Sequence, residues 1–183
     1  SFDGVDDYAV SNSNINPNFS ADGVGIEVKF MPVDNDFSDG YPKYIVSQYS
    51  HPNFDSNYAC AEIAIYQNQL YVHIRGNDGS TVSGYFGEAL VPNVFHIVKV
   101  VYDGANNYLS VRINDVQYFS DHVDEIGELQ SPSLIYLGSQ QYHGHYFNGL
   151  IDNVRMWNAA IDLSDDNYVP DNEFLILDYD SES

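Results

Sequence analysis

The sequence predicts an all-β fold, a sandwich, jelly roll or barrel of short antiparallel strands, and three observations lead there. Apolar and polar residues alternate through residues 24–30, where Val24, Ile26, Val28 and Phe30 share one side, and through 69–75, where Leu70, Val72 and Ile74 do. A period of two marks a strand with one buried face. Turn pairs fill nearly every gap: Asp-Gly begins at 3, 22, 39, 78 and 103 and Asn-Gly at 148, and both tolerate the positive φ of tight hairpins. No segment sustains a helical period. With 183 residues, 44% of them hydrophobic and 15% aromatic, the chain has material for one packed domain and is too apolar for global disorder.

The elements follow in order. Residues 2–10 open the chain with Phe2, Val5, Tyr8 and Val10 in a strand-like segment, and 24–30 is the first strictly alternating strand. Residues 44–49 and 61–66 are rich in β-branched and aromatic side chains, the types that suit a pleated surface, and 69–75 alternates again. Residues 95–102 and 108–113 flank the Asp103-Gly104 turn, and 116–119, 134–137 and 150–157 complete the set. After Arg155 the chain holds no Lys or Arg, while Asp162, Asp165, Asp166, Asp171, Glu173, Asp178, Asp180 and Glu182 follow. The expected organisation is one domain over residues 1–163 and an acidic C-terminal segment over 164–183, in which 173–179 is apolar enough for a last strand before a linker-like end.

Six basic residues stand against 27 acidic ones, a net charge of -21. A surface this negative repels phosphate backbones and anionic lipid heads, so nucleic acid and membrane surfaces are excluded as partners, while cations and neutral polymers remain. No run approaches the roughly 18 apolar residues of a membrane span, and the N-terminus lacks a signal-peptide pattern. Because the chain begins at Ser1 and opens directly into a strand-like segment, the expectation is a module of a larger multidomain protein, with any export signal outside it. The lone Cys60 lies in an apolar run and reads as a buried thiol, leaving no disulfide framework.

Three segments together resemble the laminin-G-like jelly rolls of the concanavalin A-like lectin/glucanase superfamily. The opening Phe2-Asp3-Gly4-Val5-Asp6-Asp7-Tyr8-Ala9-Val10 is similar to the family's first strand. The centre, Phe95-His96-Ile97-Val98-Lys99-Val100-Val101-Tyr102-Asp103-Gly104 with 109–115 after it, is similar to its paired central hairpins. The end, from Phe147-Asn148-Gly149 through Asp152 to Trp157, is similar to its closing strand. Order and spacing agree over residues 1 to about 163. Phe95 stands where the family often has Trp, and the tail after Leu163 matches nothing in it. The resemblance implies a two-sheet antiparallel jelly-roll sandwich, with His96 as a core residue. It does not imply a single function, because the superfamily holds lectins, adhesion modules and glycan-cleaving enzymes.

Glycosidic cleavage needs two facing carboxylates roughly 5 to 9.5 Å apart, which on a strand appear as alternating acids, and no Glu-x-Asp-x-Glu variant is present. Asp124, Glu125 and Glu128 read as a solvated loop. Polysaccharide lyases of similar shape use Arg, His and Tyr on one face; Tyr71, His73 and Arg75 alternate in that way, but six basic residues cannot steer a polyanion. A hard cation such as calcium takes six to eight oxygens, and Asp3, Asp6 and Asp7 fall within five residues. The resemblance implies a calcium ion bridging the opening segment and an Asp of the last strand, which nominates Asp3 and Asp152, with Asp6 or Asp7. The competing reading is that these aspartates cap turn backbone. The run 34–40 has its Gly one place late for a helix-loop-helix calcium loop and no Glu at the twelfth position.

His143 and His145 share a His-x-His spacing with no third nitrogen or sulfur ligand near in sequence, which argues against zinc. Sugars are held by flat aromatic faces with amide and carboxylate partners for their hydroxyls. Residues 140–146, with Tyr142, His143, His145 and Tyr146 around Gly144, offer that mixture between two needed strands. Tyr49, His51 and Phe54 form a second group, and Tyr85 with Phe86 a third. Single tyrosines are also ordinary strand residues. The expectation is a non-catalytic extracellular or cell-surface binding module recognising carbohydrate or a cell-surface ligand, with a structural calcium ion, from an adhesin or a polysaccharide-degrading enzyme. The alternative is a small glycoside hydrolase or polysaccharide lyase of the same fold.

Overall fold

The computed structural model describes residues 1–11, 23–33, 40–49, 60–76, 78–126, 134–140, 145–162 and 175–180. In chain order the strands are β1 (Phe2–Asp3), β2 (Ala9–Val10), β3 (Val24–Pro32), β4 (Lys43–Tyr49), β5 (Cys60–Tyr66), β6 (Gln69–Arg75), β7 (Thr81–Phe86), β8 (His96–Asp103), β9 (Tyr108–Ile113), β10 (Val116–His122), β11 (Ile135–Leu137), β12 (Asn148–Trp157) and β13 (Leu175–Asp180). They form two antiparallel sheets. The first runs β1-β12-β3-β8-β9-β10, with β13 also paired to β12, and the second runs β2-β11-β4-β5-β6-β7. The architecture is the jelly-roll sandwich.

The core lies between the sheets and follows the period of two. Leu70, Val72 and Ile74 of β6 face Val98 and Val100 of β8 and Val111 of β9 in one buried cluster. Phe30 is wholly buried, with its ring edge-on to Phe147 at 6.0 Å and tilted against His96 at 5.9 Å. His96 is a core residue, its Nε2 3.0 Å from the Val91 carbonyl.

Four expectations shift in ways the backbone explains. The opening segment is two short strands on different sheets: Phe2 pairs with Gly149 in the first and Ala9 with Leu137 in the second, so residues 4–8 cross the edge of the sandwich. The two-residue hairpins use Gln67-Asn68 and Asn114-Asp115, all four at φ between 49 and 66°, the conformation that matches strand twist. Asn148-Gly149 is a strand start, where glycine serves close approach: a Cβ on Gly149 would lie 2.2 Å from the Met31 carbonyl oxygen. Strand β7 escaped the sequence reading because it is an edge strand with no fully buried residue. At the other end of the chain, β13 pairs with β12, so residues 175–180 are part of the sandwich.

Phe30→Ala should cost about 3–5 kcal/mol, the range for truncating a buried aromatic, read as a lowered urea midpoint at unchanged slope. A loss under about 1 kcal/mol would contradict the packing described.

Candidate functional site

The outer face of the second sheet is the complement of its core face. On β6 the core takes Leu70, Val72 and Ile74, which leaves Tyr71, His73 and Arg75 outside; on β5 it takes Ile63 and Ile65, which leaves Glu62, Ala64 and Tyr66. Register turns these into rows. Tyr44, Ala64, Tyr71 and Tyr85 lie side by side across β4 to β7, and Ser47, Glu62, His73 and Ser83 form the next row, with Tyr136 of β11 beside Ser47. At the β6–β7 edge the rings make a continuous aromatic surface: Tyr71 and Tyr85 are 5.3 Å apart, Tyr66 and Tyr85 5.7 Å, and Tyr71 and His73 6.1 Å. Tyr85 is 53% exposed.

Beside this surface sits a buried carboxylate. Glu62 is 2% exposed; its Oε1 accepts from Ser47 Oγ at 2.9 Å and from Gln140 Nε2 at 2.6 Å, and its Oε2 lies 3.3 Å from His73 Nδ1. Burying such a group is costly unless partners satisfy it. The three partners come from β4, from β6 and from the residue that opens the 140–146 loop.

That loop is fastened to the same face at its other end. His145 stacks on Tyr41 at 4.6 Å and 16° and on Tyr44 at 6.3 Å, and its carbonyl accepts the Tyr44 amide. The half-buried Tyr146 follows. The structure therefore brings His145 to the face that carries Tyr66, Tyr71 and Tyr85. Tyr142, His143, His51 and Phe54 lie outside the described residues, and Tyr49 ends β4 opposite Cys60. Of the third aromatic pair, only Tyr85 faces outward, because Phe86 turns to the core side against Phe119 at 5.6 Å.

Sequence reasoning missed Glu62, Ser47, Gln140 and Tyr66 as a group. The signal was present for two of them: alternation around Ile63 and Ile65 already assigns Glu62 and Tyr66 to one side.

The opening aspartates do converge. Asp3, Asp6 and Asp7 each place a carboxylate oxygen within 4.8 Å of the others, the one such acidic group among the described residues. Oxygens bound to one calcium ion at 2.3–2.6 Å are separated by up to about 5 Å, so the spacing fits. Both turn-capping bonds of the competing reading are present as well: the Asp3 amide donates to Asp7 Oδ2 at 2.9 Å and the Val5 amide to Asp3 Oδ1 at 2.8 Å. Asp152 is not brought to this group. It is ion-paired with Lys29, and Asp3 pairs with Asn148, four residues and about 13 Å earlier along the strand.

Residues 5–165 match the laminin-G-type model of the concanavalin A-like lectin/glucanases superfamily, and the chain belongs to that superfamily. Its fold is shared with several solved structures. A native heptameric SAP-like pentraxin from Limulus polyphemus matches with a TM-score of 0.66 and 13% identity, over 90% of this chain and 77% of that one. The Ruminococcus gnavus IT-sialidase CBM40 bound to alpha2,3 sialyllactose matches at 0.65 and 11%, over 88% and 92%. Domains LG4-5 of the mouse laminin alpha1 chain match at 0.64 and 13%, over 87% and 41%. No curated protein sequence matches.

Glu62→Ala should destabilise the fold by about 2–4 kcal/mol, since it strands the Ser47 hydroxyl and the Gln140 amide in a buried setting. Glu62→Gln keeps one acceptor oxygen and should cost less than half as much. Equal losses for the two variants in chemical denaturation would show that the hydrogen bonds are not what matters.

Proposed function

We propose that this chain is a non-catalytic, extracellular binding module that holds a carbohydrate on the outer face of its six-stranded sheet, along the lip between His145 and the β6–β7 edge. The observation that carries the reading is the contiguous Tyr66, Tyr71 and Tyr85 surface, half exposed and backed by a fixed polar row. Aromatic faces pack against sugar C–H faces, and neighbouring amides and hydroxyls bond to sugar hydroxyls. A sialidase carbohydrate-binding module solved with a bound sugar shares the fold, which supports a glycan as ligand.

The face argues against glycan cleavage. Positions 62, 64 and 66 carry Glu, Ala and Tyr, so alternation supplies one carboxylate where hydrolysis needs two. Both oxygens of that carboxylate face side chains of the fold. Turnover of any polysaccharide, abolished by Glu62→Gln in a folded variant, would refute the non-catalytic reading.

The expected outcome for the tyrosines is that Tyr85→Ala weakens a glycan identified on an array at least severalfold, with Tm nearly unchanged because the ring is half exposed. Tyr146→Ala should act in the same direction. Unchanged affinity in both variants would remove the lip from consideration.

The calcium ion of this proposal rests on Asp3, Asp6 and Asp7. A bound dication would neutralise three clustered carboxylates in a chain of net charge -21 and tie down the crossing between β1 and β2. At a hundred times its dissociation constant a ligand adds about 2.7 kcal/mol to stability. Melting curves with calcium and with excess chelator should therefore differ, and Asp7→Asn should abolish the difference while Asp152→Asn leaves it. Superimposable curves would eliminate the ion.

A further inference from the structure

The first sheet has its own outer face, and the few positive charges of the chain are concentrated on it. Register places Arg155, Glu27, Lys99, Arg112 and Gln117 in one row across β12, β3, β8, β9 and β10. Three of the six basic residues of the chain stand in this row. Glu27 separates Arg155 from Lys99, with its Oε1 3.7 Å from Arg155 Nη1. Nothing separates Lys99 from Arg112, which are direct cross-strand neighbours. Like charges so placed destabilise a sheet, and a chain with 27 acidic residues had ample means to avoid it.

Lys99 is poorly solvated, and Arg112 is half-buried. Lys99 is 6% exposed and reaches Asp115 Oδ1 at 3.3 Å. Arg112 donates Nη2 to the Asp115 carbonyl at 2.8 Å, while its Nε is buried and has no acceptor among the described residues. A buried guanidinium nitrogen without an acceptor is costly.

A groove of about 400 Å³ lies over this pair. Its wall is the segment after β12, which folds back across the sheet: Ile161 covers Gly25, where a Cβ would meet it at 2.6 Å, and packs with Trp157 and Val101. The floor is Lys99, Val101, Ser110 and Arg112, and the far end holds Asp103 and Tyr108, with Asp162 on the wall side. The groove therefore runs from two cations, past an apolar wall and a hydroxyl, to carboxylates.

We propose that this groove is a second ligand site, taking a sugar that bears a single anionic group, a carboxylate or a sulfate, seated between Lys99 and Arg112. A planar guanidinium is suited to two parallel bonds with such a group, and the volume falls in the range of small-molecule sites. Ile161 faces the C–H side of the ring, and Ser110, Asp103 and Asp162 face its hydroxyls. The carboxylates of Asp103 and Asp162 in the lining and the net charge of the chain disfavour a second anion, so a polyanion is rejected. This site is on the opposite sheet from the tyrosine lip and does not depend on it.

The test is calorimetry of the full chain at low salt with three disaccharides of one size: cellobiose, cellobiouronic acid with one carboxylate, and cellobiose carrying one 6-sulfate. At least one singly charged sugar should bind tenfold or more tighter than cellobiose, with an affinity that falls as salt is added, and which of the two binds identifies the anion. Arg112→Gln and Lys99→Met should each weaken it tenfold or more, while Tyr85→Ala leaves it unchanged. Because a variant at a buried position can lose the fold, the Arg112 Nε–H resonance of the parent protein gives an independent reading; it should shift with the charged sugar and stay in place with cellobiose. Equal affinities for all three sugars, no binding of either charged sugar, tighter binding of a multiply sulfated disaccharide, or a still Arg112 resonance would each overturn the proposal.

Discussion

A carboxylate inside a β-sandwich must be satisfied by its neighbours, and the way Glu62 is satisfied organises the tyrosine-bearing face. Its oxygens are met by Ser47 on one adjacent strand, His73 on the other, and Gln140 from a loop far along the chain. The strand partners are available from register alone. The loop partner is not: the Gln140 side chain reaches Glu62 from a distant part of the chain. His145 joins the same face by stacking on Tyr41 and Tyr44.

The two outer faces solve different electrostatic problems. The six-stranded sheet presents rings and polar groups around one buried acid, with Arg75 at the end of β6. The seven-stranded sheet presents the row that collects three of the six basic residues, with Lys99 and Arg112 unseparated. In a chain this acidic, long-range repulsion disfavours any polyanion at both faces, so local charge can select only small or singly charged groups. The opening aspartates form a third, separate cluster at the edge where the chain passes from one sheet to the other.

Much of the fold was legible because inward and outward residues alternate with a period of two wherever one face is buried. Strands β3, β6 and β9 carry that pattern almost unbroken. Strand β7 was not legible, since an edge strand buries too little to impose a pattern. Not every turn pair is a turn: Asn148-Gly149 begins β12, as the resemblance implied, and glycine is needed there because the Met31 carbonyl leaves no room for a Cβ. Asp3, Asp6 and Asp7 were legible as a cluster because they are adjacent in sequence. Asp152 was nominated by resemblance, and the sheet gives it Lys29 as a partner instead.

Taken alone, the chain determined the class of fold and the sidedness of its strands, because these depend on local periodicity. Tertiary structure decided which residues from distant segments share a face. Glu62 and Gln140 are 78 residues apart, and no local pattern encodes a bond at that separation. Lys99 and Arg112 become neighbours only through the register of the β8–β9 hairpin, which closes at Asp103 opposite Tyr108 with Asn107 of its turn at φ 50°. Sites on a β-sandwich are rows across strands, and a row exists only once the strands have paired.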